Sequence, residues 1–260
     1  PDIRSVFNVH DSYGDFMIPG LLMVILQQTL LYGLGLSAAK EREDGKIGEW
    51  AERAGNMLTP MVHGKIAFYV ALYGAYAFAF FGVIFAIFSV SFSGSAIAAL
   101  VLTAIYLVAI AYATLFAASF FRTKLAAFQV LVFTSYPAFL LSGLSWPIGA
   151  LPLPLQILAE SLPGTPFMRA MMRVSQMGAG IGDILPELAQ LTLLLAVYGF
   201  FGGIFIVPLN ALIQFNAREA ELGTILAGNN FVQNVAMLGF LVLTVLASLT
   251  GLGSIPIITA

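Results

Sequence analysis

The chain has 260 residues, 60% of them hydrophobic and 9% charged, with a mean hydropathy of +0.94 and a formal net charge of −2. Soluble domains carry about 25% charged residues, so the composition excludes a water-soluble monomer, and the slight negative charge excludes a nucleic acid partner. The chain has no cysteine, which excludes disulfides and makes a thiolate metal site improbable.

Residues 1–15 are polar and lack the basic start and cleavage site of a signal peptide. The first uncharged run, 16–39, is long enough to cross a bilayer, which takes about 20 apolar residues. Pro19-Gly20 is expected to open this span, because proline is tolerated in a first helical turn. A polar island comes next, Lys40-Glu41-Arg42-Glu43-Asp44-Gly45-Lys46-Ile47-Gly48-Glu49-Trp50. Dense charge of both signs directly after an apolar run marks a membrane surface and suits contact with another protein. A solvated mixed-charge loop is the plainer alternative.

The adjoining segment favours docking. Ile47, Trp50, Ala51, Ala54, Met57 and Leu58 recur at helical spacing, opposite Glu49, Glu52 and Arg53. This pattern predicts an amphipathic helix in the interface plane, with Trp50 at headgroup level. Asn56 and Thr59-Pro60 are expected to end it.

The uncharged run 66–121 holds two spans, near 66–88 and 97–120, parted by a turn at Ser89-Val90-Ser91-Phe92-Ser93-Gly94-Ser95. Arg122 and Lys124 mark a short loop before a span near 126–145. Six prolines then crowd 137–166, namely Pro137, Pro147, Pro152, Pro154, Pro163 and Pro166, with Glu160 the one charge among them. Continuous helix does not survive that density. Irregular backbone at membrane depth must be buried in protein or face water, so 144–166 reads as short broken helices dipping into the outer leaflet. Arg169 and Arg173 are expected to start a surface helix ended by Gly178-Ala179-Gly180. Further spans are predicted near 188–210 and 230–250, joined by a polar loop containing Asn210, Gln214, Asn216, Arg218, Glu219 and Glu221.

The expected architecture is therefore all-α: a polytopic integral membrane protein of about six transmembrane helices, with an amphipathic cytoplasmic helix and broken outer re-entrant helices. With the island inside, eight of the 11 Lys and Arg residues are cytoplasmic, and Arg4, Arg169 and Arg173 are outside. The N-terminus is then extracytoplasmic, which suggests a further helix upstream of residue 1.

No catalytic constellation is readable. His63-Gly64-Lys65-Ile66 lacks the first Gly and the Ser/Thr of a phosphate-binding loop. His10 and His63 are expected on opposite membrane sides, without metal-ligand spacing. The spans carry almost no ionisable residue, whereas proton pumps and ion channels usually keep one in the bilayer. Energy is therefore expected from another chain, and the substrate is expected to be apolar or amphipathic. A non-transporting membrane scaffold is the alternative from another class.

Phe7-Asn8, Phe16-Met17-Ile18-Pro19-Gly20-Leu21, Glu41-Arg42-Glu43 with Gly45, Gly64-Lys65, and Leu141-Ser142-Gly143-Leu144-Ser145-Trp146-Pro147-Ile148 come in one order, followed by Leu151-Pro152, Leu162-Pro163 and Thr165-Pro166. In that order they resemble the membrane subunit, or permease, of type-2 ABC transporters, over about residues 7–198. Lys46 departs from the threonine usual after the glycine. The resemblance implies a homo- or heterodimer of six-helix permeases in a bacterial inner membrane, working with ATP-binding cassette ATPase subunits as an efflux system. ATP and magnesium would sit on the partner, with no cofactor in this chain. The resemblance makes Glu41, Arg42, Glu43, Gly45 and Trp50 the elements coupled to the ATPase, and Ser142, Gly143, Trp146, Pro147 and Pro163 part of the outer re-entrant segment. Residues 200–260, with Ile206-Val207-Pro208-Leu209-Asn210 and Ala227-Gly228-Asn229-Asn230-Phe231, resemble instead a helix pair of major-facilitator lysophospholipid transporters. The expected division is thus 1–199, permease-like with its first helix missing, and 200–260. A fragment of a major-facilitator transporter is the alternative transport reading.

Overall fold

The computed structural model describes residues 13–46, 49, 52–53, 58–90, 92–121, 123–144 and 146–216. Every regular element among them is helical. Helix α1 spans Tyr13–Glu43, α2 Leu58–Ala79, α3 Ala96–Ser119, α4 Lys124–Leu141, α5 Leu153–Ser161, α6 Gly164–Met177 and α7 Leu185–Asn216. Five stretches are long and apolar enough to cross a membrane: Met17–Glu43, Pro60–Ile87, Ala96–Ser119, Lys124–Leu141 and Gly182–Gly202. These are the first five predicted spans. The sixth, and most of the amphipathic segment including Trp50, lie outside the described residues.

The chain divides into two compact units, Pro1–Lys46 with Lys65–Phe205, and Ile47–Gly64 with Ile206–Ala260. In the second unit, Glu49, Glu52 and Arg53 are exposed, and Arg53 lies 3.9 Å from Glu49 one helical turn away. Thr59 and Pro60 fall in the first turn of α2.

In the first unit α1 is the central helix. It packs on α3, α4 and α6 through Leu22, Met23, Leu26, Leu30 and Leu34, all buried. That spacing of three to four residues lays one apolar stripe along the helix. The deepest junction joins α1, α3 and α6. The Tyr106 ring stacks on Phe167 with centroids 4.0 Å apart, and its hydroxyl donates to Gln27 Oε1 at 3.0 Å. This gives a buried polar pair its partner in an apolar interior, where an unmet group would be costly. On the α4 side, the Tyr32 hydroxyl donates to Gln28 Oε1 at 2.6 Å and lies 2.9 Å from Ser135 Oγ.

Three expectations need correction. Pro19 does not open α1 but sits inside it, seven residues in. Its ring removes one helical hydrogen bond, which transmembrane helices tolerate when neighbouring groups re-satisfy the backbone. The helix also runs on to Glu43 rather than stopping at 39, so the first four island residues are helical. Finally, α6 starts at Gly164 and is no surface helix. Phe167, Met168, Ala170, Met171 and Val174 are buried, while Arg169 lies on the opposite, exposed face.

Proline placement explains the broken segment. Pro147 precedes a single 3-10 turn, Ile148–Ala150. Pro152 and Pro154 start α5, and Pro163 starts α6. Each occupies a helix start, where no N–H is required of it. The end of α5 lies along α7, with the Gln190 amide donating to the Glu160 carbonyl at 2.9 Å and the Tyr198 hydroxyl to the Ser161 carbonyl at 2.9 Å. Tyr198 is the fourteenth residue of α7, roughly 20 Å along its axis at 1.5 Å per residue. The end of α5 is thus fastened to α7 by side chains that reach its last carbonyls.

Candidate functional site

The charged end of α1 gathers three other helices, α2 at its third turn and α3 and α4 at their ends. Glu41 Oε2 accepts from Lys65 Nζ in α2 at 2.5 Å, and the Lys65 side chain is only 7% exposed. Arg42 Nη1 donates to the carbonyl of Ser119, the last residue of α3. Glu43 Oε2 accepts the backbone N–H of Lys124, the first residue of α4, at 2.6 Å. Three consecutive side chains thus hold three different helices.

The signs of these contacts reflect helix electrostatics. A helix carries partial negative charge at its C-terminus and partial positive charge at its N-terminus. Arg42 meets the C-terminus of α3, and Glu43 meets the N-terminus of α4. Thr123 completes the α4 start, its side chain accepting from the Ala126 N–H. The α3–α4 turn is therefore capped by a cation and an anion adjacent in sequence.

Gly45 has a separate job. It adopts φ +67°, and the Gly45 N–H bonds to the Arg42 carbonyl at 3.3 Å while the Lys46 N–H bonds to the Glu41 carbonyl at 2.9 Å. This paired pattern around a left-handed residue is the Schellman stop of a helix. Gly45 turns the chain away just after the three capping residues. The structure thus brings Glu41, Arg42, Glu43 and Gly45 together.

At the other end of the spans lies the broken segment. Ser142 is buried, its Oγ donating to the Phe139 carbonyl at 2.7 Å, and Gly143 takes a left-handed turn at φ +87°. Trp146 and Pro147 are exposed, and Pro163 is buried at the start of α6. Ser142 and Gly143 line an open cavity of about 680 Å³.

Part of its wall belongs to an ionic network that sequence reasoning did not find. Arg169 pairs with Glu160, whose Oε2 also accepts from Gln190 Nε2 at 2.8 Å. Arg173 Nη1 pairs with Glu187 Oε1 at 2.8 Å, and the Glu187 side chain is 5% exposed. Glu187 Oε2 is buried without a hydrogen-bond partner among the described residues. The network ties α5, α6 and α7. The available signal was the four-residue spacing of Arg169 and Arg173, which places both on one helix face.

Residues 2–204 match the family described as ABC-2 family transporter protein. The chain is also 43% identical over 67 residues to the lysophospholipid transporter LplT of Photorhabdus laumondii subsp. laumondii. That match covers 25% of this chain and 16% of the relative, so the chain spans well under a fifth of that relative's length. No solved structure matches.

Proposed function

We propose a coupling mechanism for this chain, which belongs to the ABC-2 family of transporter proteins and is a membrane permease subunit of an ABC transporter. In this reading a separate ATPase subunit binds ATP and magnesium and acts on the charged end of α1. Two permease copies form the transport unit in a bacterial inner membrane, with that end facing the cytoplasm. The cargo is apolar or amphipathic and moves outward. Glu41, Arg42, Glu43 and Gly45 transmit the force, and Trp50 seats the adjoining segment at the headgroups.

One observation carries this reading: the Glu41-Arg42-Glu43 run bonds to α2, α3 and α4 at once. A push on a single short peptide is thereby delivered to four helices. Differential contacts of the ATPase with two arrangements of these helices would supply the work. The ionisable groups described within the spans support an external energy source, since Lys65 and Glu187 lie near span ends and each is paired. The division near residue 200 belongs to the same reading, and a family match ending at residue 204 favours it.

The test is affinity purification of the full chain from native membranes, then reconstitution with the proteins that accompany it. A stoichiometric ATPase is expected. Glu43→Lys should then leave the complex assembled and hydrolysing ATP while transport falls. Absence of any ATPase would remove the partner from this account. Wild-type transport by the Glu43→Lys complex would remove Glu43 from the coupling path.

A further inference from the structure

We propose that the cavity between α5, α6 and the turn that follows α4 binds a zwitterionic phosphoethanolamine group, with the phosphate on Arg169 and Arg173 and the ammonium on Glu160. Its volume, about 680 Å³, lies within the roughly 300–1,000 Å³ usual for small-molecule sites. Its walls combine three methionines, Met168, Met172 and Met177, with those three charged residues. Methionine walls adapt to irregular apolar shapes such as an acyl chain.

The charge arrangement selects the headgroup. Arg169, Arg173 and Glu160 keep between 35% and 40% of their side-chain surface exposed, whereas Glu187 is sealed. A ligand in the cavity therefore meets two cations and one anion. Each guanidinium has five N–H donors, and its pairing carboxylate takes one from each. Donors remain for phosphate oxygens. The two arginines stand one turn apart on α6, with Cβ atoms about 5–6 Å apart, so one phosphate can bridge them. A purely anionic headgroup would satisfy the arginines but crowd Glu160 with like charge. A quaternary ammonium is recognised by aromatic faces, and among the described residues no aromatic side chain lines this cavity. A primary ammonium facing a carboxylate fits.

The site lies at the opposite end of the spans from the Glu41–Glu43 run, and its test needs neither nucleotide nor ATPase. Failure here leaves the coupling mechanism standing, and the reverse also holds. The full chain, purified in a maltoside detergent, is titrated calorimetrically with short-chain phosphatidylethanolamine, with phosphatidylcholine and phosphatidylglycerol of the same chains, and with free phosphoethanolamine. Saturable binding of the ethanolamine lipid is expected, at least about tenfold tighter than the other two lipids. Free phosphoethanolamine binding as tightly would identify a soluble zwitterion as the source, and binding of the lipid form alone would identify the bilayer.

Arg169→Gln should weaken binding by about tenfold. Gly149 lines the cavity, and a Cβ there meets nothing within 4 Å. Gly149→Phe should therefore fill the site without disturbing packing, so that a folding defect in one variant does not decide the outcome. Equal affinity for the three lipids, unsaturable uptake, or unchanged binding in both variants would overturn the proposal.

Discussion

Glu187 shows what a single carboxylate does here. It is buried, one oxygen is held by Arg173, and the other has no partner among the described residues. Removing one member of a buried ion pair strands the other charge, which is worse than removing both. Glu187→Leu should therefore cost about 1–3 kcal/mol, the lower end applying because Arg173 keeps 35% of its side-chain surface in contact with its surroundings. Arg173→Met together with Glu187→Leu should recover most of that loss. Thermal unfolding of the four proteins in detergent closes the cycle, and additive losses would show that the pair is not coupled. Gly45 makes a backbone argument of the same size. A non-glycine residue in the left-handed region costs roughly 1–2 kcal/mol, so Gly45→Ala should lower the melting temperature although a Cβ would touch nothing. An unchanged melting temperature would mean that the turn relaxes freely.

Elements were legible in the sequence where their signal was local. Uncharged runs of twenty residues or more announce spans, because the bilayer demands them, and the first five appear as expected. The broken segment was legible because proline placement is a local steric matter. The surface assignment of α6 failed for the opposite reason. Arg169 and Arg173 are visible in the sequence, but Tyr106 stacking on Phe167 and the docking of the α2–α3 turn on α6 are contacts between distant residues. That turn is held by the Ser93 N–H bonding to the Ser175 carbonyl at 2.9 Å, and a Cβ on Gly94 would lie 2.1 Å from the Val174 carbonyl oxygen. Backbone against backbone has no side chain to yield. Gly94→Val should therefore separate the turn from α6 and speed amide hydrogen exchange in 93–98, whereas Gly74→Val, where a Cβ meets nothing, should not. Equal exchange in both variants would mean that the contact is not held in solution.

The charged end of α1 was legible as a place but not as a device. Its charges and its glycine stop stand together in the sequence, yet which helix each side chain holds depends on how four helices pack. The capping account separates charge placement from charge content. Exchanging the two residues, as Arg42→Glu with Glu43→Arg, keeps net charge and composition but sets an anion at the C-terminus of α3 and a cation at the N-terminus of α4. Each reversed dipole contact forfeits about 0.3–1 kcal/mol, so melting should fall modestly and exchange should quicken at 120–126. A loop that is merely solvated would not register the exchange.

At the scale of the whole molecule, the structure separates two polar regions along the spans. The Lys65, Ser119 and Lys124 contacts gather at one end of α1 to α4. The cavity and its ionic network gather at the C-terminus of α4 and the N-terminus of α7. Helix α4, which joins them, has 18 residues, so the regions lie about 27 Å apart along it, close to the thickness of the hydrocarbon core. They should therefore open to opposite sides of the bilayer, and the proposed orientation, with the Lys- and Arg-rich α1 end in the cytoplasm, can be tested directly. The chain has no cysteine, so single cysteines can be introduced into an otherwise unreactive background. Asp44→Cys and Gly182→Cys are suitable because both positions are exposed, Gly182 stands beside the charged Asp183, and a Cβ there meets nothing within 4 Å. A membrane-impermeant maleimide added to intact spheroplasts should label residue 182 and spare residue 44, and in inside-out vesicles the pattern should reverse. Labelling of both from one side would break the two-ended arrangement. Labelling of residue 44 alone in spheroplasts would keep that arrangement but invert the orientation, placing the Glu41–Glu43 run where no cytoplasmic ATPase could reach it.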